Sequence, residues 1–281
     1  MFVKVSGEPQ LNPGLSAKGT LAEMNYEITK PGAFLSRPLE QAKKVGLLSL
    51  SIRGTTDKSY VEQSSSTTGN MKTTTTTTTT LRFPQQSDKT WDGLLESLYP
   101  AFMDVLKSEL KAAEVPVDKI TGTEAYKSTV AFTRDDKNNK IEFSRSFRQT
   151  KVVSARMPMG EGYASNGVNQ RIMKESGADS LVTLTLDLQI AVGKDGQVLM
   201  KPRLAYELVG KPNGSRTTNK YFTGTIDSTV GVSFTSNITV AQLETIVRKS
   251  DLMTVFRKAL EEIKAKEKQN GDYDEVWNLQ K

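Results

Sequence analysis

Hydrophobic and polar positions alternate most cleanly in DSLVTLTLDLQIAV, where Leu, Val and Ile take turns with Thr, Asp and Gln from Leu181 to Val192. A period of two predicts a half-buried strand. GKDG (Gly193–Gly196) predicts a tight turn. QVLMKPRLAYELVG then reads as a return strand, with Pro202 at an edge or a bulge. KPNGSRTTN turns again, and KYFTGTIDSTVGVSFTSN reads as a third strand of an antiparallel meander. An earlier strand is predicted in VGLLSLSIRG (Val45–Gly54), where Leu48, Leu50 and Ile52 alternate with Ser49 and Ser51.

The period lengthens elsewhere. Trp91, Leu94, Leu95, Leu98, Phe102, Val105, Leu106 and Leu110 recur at spacings of three and four, which predicts an amphipathic helix. Ser87, Asp88 or Thr90 can cap it, and Pro100 predicts a kink or two abutting helices. A second stripe, Val240, Leu243, Ile246 and Val247, follows a capping box of Thr239 and Gln242. KSD interrupts it, and Ser250 or Asp251 recaps a continuation through Leu252, Val255, Phe256, Leu260 and Ile263. Between the long helices, EVPVDKI reads as a strand start. AYKSTVAFT and KIEFSRSFRQTKVVSA read as a hairpin about RDDKNNK. GVNQRIMKESG reads as a short helix stopped by Gly177.

These elements predict an α/β (α+β) fold: a mixed, mostly antiparallel sheet, two long helices on one face, and a polar projecting β-hairpin. Residues 1–44, punctuated by Pro9, Pro13, Pro31 and Pro38, read as an irregular extension. Only short edge strands such as FVKV and GTLAEMNYEI are expected there. Residues 45–270 form a single domain with a polar arm at 55–83, and residues 271–281 form a tail.

The arm contains eight consecutive threonines, Thr73–Thr80. A linker is usually rich in Gly, Pro, Ser, Glu or Lys, and a mucin-like stalk interleaves prolines. β-branched residues instead favour extended backbone. The segment therefore predicts a hairpin, Ser59–Thr67 against Lys72–Arg82, turning near Thr68–Asn70. Without apolar alternation its register is weakly specified. The arm is expected to be mobile alone and to order against a partner or a second subunit. Thr73, Thr75, Thr77 and Thr79 are its candidate contact residues.

Composition narrows the chemistry. The chain has 281 residues, no cysteine and no histidine. Disulfides, thiolate metal sites and Ser-His-Asp or Cys-His catalysis are excluded within the chain. Acid–base work by Asp, Glu, Lys or Tyr and a carboxylate-bound hard cation remain open. Lys and Arg number 38 against 32 Asp and Glu, a net charge of +6. SRSFRQTK (Ser144–Lys151) is the densest basic stretch with an aromatic, and it is too short for a nucleic-acid face. No apolar run is long enough for a membrane helix. The opening MFVKVSGEPQLNPG lacks the apolar core of a signal peptide, so the chain reads as cytoplasmic or as a mature form.

Other candidates are local. Asp135, Asp136, Asn138 and Asn139 are oxygen-rich, but they lack the ligand spacing, Gly and terminal Glu of a calcium loop, and they read as a solvated turn. GEGYASNG leads into a helix, so Gly160, Gly162 and Tyr163, with Arg156 nearby, form a candidate anion-binding loop. It lacks the Gly-Lys-Ser/Thr ending of a phosphate loop. Trp91 reads as core. Trp277 lies in a polar tail and reads as a self-docking residue or a partner anchor. The sequons at Asn213 and Asn237 read as turn and cap chemistry. No catalytic, metal or cofactor residue is assigned.

Two stretches resemble known families. LLESLYPAFMDVLKSELKAAEVPV resembles an envelope-protein helix that ends in a short turn into an extended segment. RIMKESGADSLVTLTLDLQI is similar to the helix–Gly-Ala-Asp–strand step of the CsgG-like and TolB N-terminal-like bacterial envelope proteins. There the Gly (here Gly177) ends the helix, the Ala (Ala178) packs closely and the Asp (Asp179) starts the strand. The resemblance covers residues 45–266. It implies a non-enzymatic cell-envelope interaction or assembly protein, periplasmic or outer-membrane-associated, with a protein partner or self-association. No nucleic-acid partner is expected, given the short basic stretch, and peripheral membrane association stays open. Lipid-anchored members begin with an acylated cysteine, which this chain lacks, and the insert at 55–83 has no counterpart in the pattern. The alternatives are a homo-oligomeric structural protein using polar hairpins for subunit contacts and a carboxylate- and metal-dependent enzyme.

Overall fold

A computed structural model describes residues 14–32, 36–57, 60–69, 71–79, 82–131, 139–153, 167–193, 196–211 and 219–270. Its strands are β1 (Leu15–Leu21), β2 (Met24–Lys30), β3 (Lys44–Asp57), β4 (Tyr60–Thr68), β5 (Met71–Thr79), β6 (Ala113–Val115), β7 (Asn139–Ser146), β8 (Ser180–Val192), β9 (Val198–Gly210), β10 (Asn219–Ser228) and β11 (Val232–Ser233). Its helices are α1 (Asp88–Leu110), α2 (Val117–Thr121), α3 (Glu124–Lys127), α4 (Val168–Ser176), α5 (Val240–Ile246) and α6 (Lys249–Asn270).

Nine strands form one mixed, mostly antiparallel sheet, in the order β1-β2-β10-β9-β8-β3-β6. β11 adds to β9, and β7 adds to β3. β3 runs parallel to β8 and to β6. The meander β8–β9–β10 is present as its alternation predicts. Pro202 pairs with Leu188 of β8. On its other side β10 stops at Arg203 and β11 begins at Met200. The missing proline N–H thus falls in a gap between two neighbours.

Within the extension read for residues 1–44, the edge strand expected in GTLAEMNYEI is present but divided into two strands that run beyond it at both ends. β1 and β2 join the main sheet, β2 lying antiparallel to β10. Met24, Tyr26 and Ile28 alternate into the core. The hairpin closes at Ala22 and Glu23, both at positive φ (50° and 57°).

One face of the sheet is covered by α1 and α6. Val45, Leu47, Leu50 and Ile52 of β3 and Val182, Leu184, Leu186, Leu188 and Ile190 of β8 meet Leu94, Leu98, Phe102, Phe256, Leu260 and Ile263 there. Phe256 packs edge-on to Tyr206 and to Phe102, with centroids at 4.9 and 6.0 Å. Pro100 does not divide α1, which is continuous over 23 residues. Pro100 is exposed, so the backbone carbonyl it leaves unbonded faces water.

The other face is closed at one end by α2, α3 and α4. Leu48, Ile120, Ala125, Tyr126, Ile172, Met173, Ala178 and Leu181 form a second core there. Leu48 therefore does not share a face with Leu50 and Ile52. A bulge places it between Leu47, opposite Val182, and Ser49, opposite Thr183. One extra residue reverses the parity of all that follows. The strand expected at EVPVDKI is present only as β6, which ends at Val115, and α3 replaces the start of the one expected in AYKSTVAFT. After the short β6, Pro116 starts α2, and the Thr123 side chain accepts from Tyr126 N–H to cap α3.

Candidate functional site

β3 passes into β4, and β4 pairs with β5 as a separate two-stranded antiparallel sheet. Tyr60 lies opposite Thr79 and Thr68 opposite Met71. The pairing reaches Thr68 and Met71, closer to the turn than the expected pairing of Ser59–Thr67 with Lys72–Arg82. Gly69 has φ of 62°, as a two-residue hairpin requires. Thr73, Thr75, Thr77 and Thr79 lie opposite Ser66, Ser64, Glu62 and Tyr60. Residues 65–69 and 71–74 are exposed, and Met71 at the tip is 75% exposed.

Strand direction places this arm at one end of the sheet. β3 and β8 run parallel and finish together, at Thr56 beside Ile190. β10 finishes and β2 begins at that same end, with Ser228 beside Met24. The β1–β2 turn lies against the segment after β10, where Thr229 N–H donates to Glu23 O at 2.9 Å. Arg248, itself at φ 58°, ties α6 to this turn by donating to Ala22 O at 2.5 Å and pairing with Asp251 at 2.7 Å. Leu21, Val192 and Val230, 36–41% exposed, end strands or follow them at this end, whereas Val130, 80% exposed, follows α3.

The opposite end is closed by internal bonds. Asp179 accepts from Lys44 N–H at 2.9 Å and from Lys43 N–H at 3.1 Å. Gly177 before it adopts φ 76° and ends α4, and Ala178 is buried. Lys30, fully buried, faces Glu267. Nothing in the sequence flags that pair, because neither residue belongs to a motif.

SRSFRQTK is also bonded internally. Asp88, Asp92 and Glu96 line α1 at intervals of four. Arg145 makes paired bonds to Asp92 at 2.5 and 2.7 Å, and Arg148 to Glu96 at 2.9 Å each. Phe147 is buried and stacks on Tyr99 with centroids 4.6 Å apart. Lys151 donates to the carbonyls of Tyr126 and Lys127 near the end of α3, at 3.1 and 2.7 Å. Asp92, Glu96, Arg145, Phe147 and Arg148 line a cleft of ≈ 570 Å³ that also includes Ser144 and Val152. The hydrogen bonds from Arg145 hold the Asp92 carboxyl below its ordinary range, so it stays ionised and is no proton donor near neutrality.

A row of alternating charge crosses four strands on the second face. Arg53 bonds Asp187 at 2.5 and 2.7 Å, and Arg203 pairs with Asp227 at 3.0 Å. Ser51 is buried on the same face with no hydrogen-bond partner for its hydroxyl. Among the described residues, no three Asp or Glu groups converge to hold a metal ion, and no helix is long and apolar enough to cross a membrane.

Trp91 is buried and stacks on Phe143 at 4.6 Å, in the core as expected. The candidate anion loop (Arg156, Gly160, Gly162, Tyr163), the Asp135–Asn138 cluster and Trp277 lie outside the described residues. No protein-family model, no curated protein and no solved structure matches this chain.

Proposed function

We propose that the protein is a non-enzymatic interaction or assembly module of the bacterial cell envelope that engages its partner through the hairpin-bearing end of the sheet. The observation that carries this reading is the asymmetry of the two ends. One end presents the β4–β5 arm, with Met71 at its tip, together with Leu21, Val192 and Val230. The other is tied shut through Asp179, Lys30 and Glu267. Interaction sites concentrate where apolar side chains stay exposed beside polar groups. The guanidinium groups of Arg145 and Arg148 are spent on α1 carboxylates, which weighs against a phosphate-binding role for that stretch. The envelope placement rests on the helix–Gly-Ala-Asp–strand step, where Gly177 ends the helix and Asp179 starts the strand.

The test is photo-crosslinking in the producing cell, followed by fractionation. A photoreactive residue at Met71 or Val192 is expected to form discrete protein adducts in the envelope fraction. The same residue at Lys111, at the opposite end, is expected to form none. Equal labelling at both ends, or none at Met71, overturns the reading.

A further inference from the structure

We propose that the open edge of β5 pairs antiparallel with β5 of a second copy of this chain, and that this pairing tolerates slips in register. The proposal rests on the interaction reading above and names its partner.

The backbone supplies the first argument. A two-residue turn makes Thr68 and Met71 a hydrogen-bonded pair. Such pairs recur at every second position, so Thr73, Thr75, Thr77 and Thr79 spend their N–H and C=O groups on β4. Lys72, Thr74, Thr76 and Thr78 turn theirs to the outer edge, where no strand lies among the described residues. A lone two-stranded hairpin is marginal in water and gains from a third strand.

The sequence supplies the second. Edge strands are usually guarded by charge, proline or bulges. From Thr73 to Thr79, β5 has none of these. β4 carries Glu62 and β5 carries Lys72 next to the turn, which leaves Thr73–Thr79 as the longer uncharged edge. A second copy related by a two-fold axis presents the same strand antiparallel, which is the closed arrangement of a homodimer. An axis at Thr76 sets Thr74 against Thr78 of the second copy. A slip of two residues still sets threonine against threonine, with no like charges opposed. Eight identical residues make several such registers equivalent. With a second copy, both strands of the pair carry that repetition.

The experiment is sedimentation equilibrium on the full chain across a wide concentration range. The wild-type mass is expected to rise towards twice the monomer. Thr76→Pro removes one outward N–H while leaving the β4 ladder intact, and is expected to raise the dimer dissociation constant at least tenfold. A variant carrying Lys at positions 74, 76 and 78 opposes like charges in each of these registers and is expected to stay monomeric. So is the matching Glu variant, and an equimolar mixture of the two is expected to associate. A monomeric wild type, a Thr76→Pro protein that associates as the wild type does, or a mixture that stays apart overturns the proposal. Adducts at Met71 with a different protein would leave the interaction reading standing without it.

Discussion

The Lys30 ammonium is fully buried and lies 3.6 Å from a Glu267 carboxylate oxygen. It also donates to the carbonyls of Arg37 and Tyr221, and Glu267 accepts from Leu39 N–H at 3.1 Å. The pair thus joins β2, the segment entering β3, and the last turns of α6. Burial pushes the amine down to about 8 and raises the Glu267 carboxyl, so desolvation outweighs the mutual attraction of the two charges.

Lys30→Met is expected to destabilise the protein by about 3–5 kcal/mol, because it leaves Glu267 buried without its counter-charge. Combining it with Glu267→Gln is expected to recover most of the loss, since Gln still accepts from Leu39 N–H. Urea unfolding of the two variants measures both. Equal stability of the single and double variants would count against this account.

The same pair sets a pH dependence. The unfolded chain holds Lys30 near 10.5 and the folded protein near 8. Between those values the unfolded state binds more protons, so this group's contribution is full above 10.5 and is lost as pH falls through 8. Tyr26 and Tyr221, pushed up to about 12 mainly by burial, act in the opposite sense at higher pH. Their contribution is full below 10 and is lost as pH rises through 12. The difference in unfolding free energy, wild type minus Lys30→Met, is therefore expected to rise between pH 8 and 10. A flat difference would remove Lys30 as the cause.

Gly54 underlies an aromatic cluster. A Cβ there would sit 2.1 Å from the Phe143 ring and 2.9 Å from Phe83. Phe143 cannot easily withdraw, because it is held between Trp91, at 4.6 Å, and Phe83, at 5.0 Å. Gly54→Ala is expected to cost about 1–3 kcal/mol by overpacking. Thermal unfolding reads the loss, and Gly54→Ala with Phe143→Leu is expected to cost less than the two changes summed.

Asp179 secures the parallel pairing of β3 with β8 through the N–H groups of Lys43 and Lys44. Asp179→Ala is expected to cost about 1–3 kcal/mol by leaving those donors without their acceptor. Asp179→Asn keeps one acceptor oxygen and is expected to cost less. Chemical denaturation orders the three proteins. Indistinguishable Ala and Asn variants would mean that the carboxylate does not hold this strand pair.

The arm is a separate sheet, so shortening it should spare the domain. Replacing residues 65–74 by Asn-Gly closes a two-residue turn on the existing Ser64–Thr75 pair. The unfolding free energy of the domain is expected to change by less than ~1 kcal/mol, as for other surface changes. A larger loss would show that the arm packs on the main sheet.

Much of the sheet is legible in the sequence because strand and helix periods are local. The alternation through β8, the three-and-four spacing of α1 and the Thr239–Gln242 cap of α5 each need only neighbours along the chain. The threonine arm was legible for the same reason, as β-branched residues on either side of Gly69. Its contact positions follow from pairing with β4, down to which backbone groups turn outward.

Local pattern by itself determined the mixed sheet with two long helices, the meander and the polar hairpin. Tertiary structure decided the rest. The bulge at Leu48 sends that side chain to the second core, because α3 and α4 wait there with Tyr126 and Met173. β1 and β2 become sheet because β10 offers them a free edge, which no count of prolines reveals. Arg145 and Arg148, a basic stretch in the sequence, meet the carboxylates of α1 only when β7 folds beside it. Lys30 and Glu267 are 237 positions apart, and folding alone brings their charges together out of water. Period and propensity act over a few residues, whereas charge pairing, face parity and edge occupancy depend on partners that only the closed fold supplies.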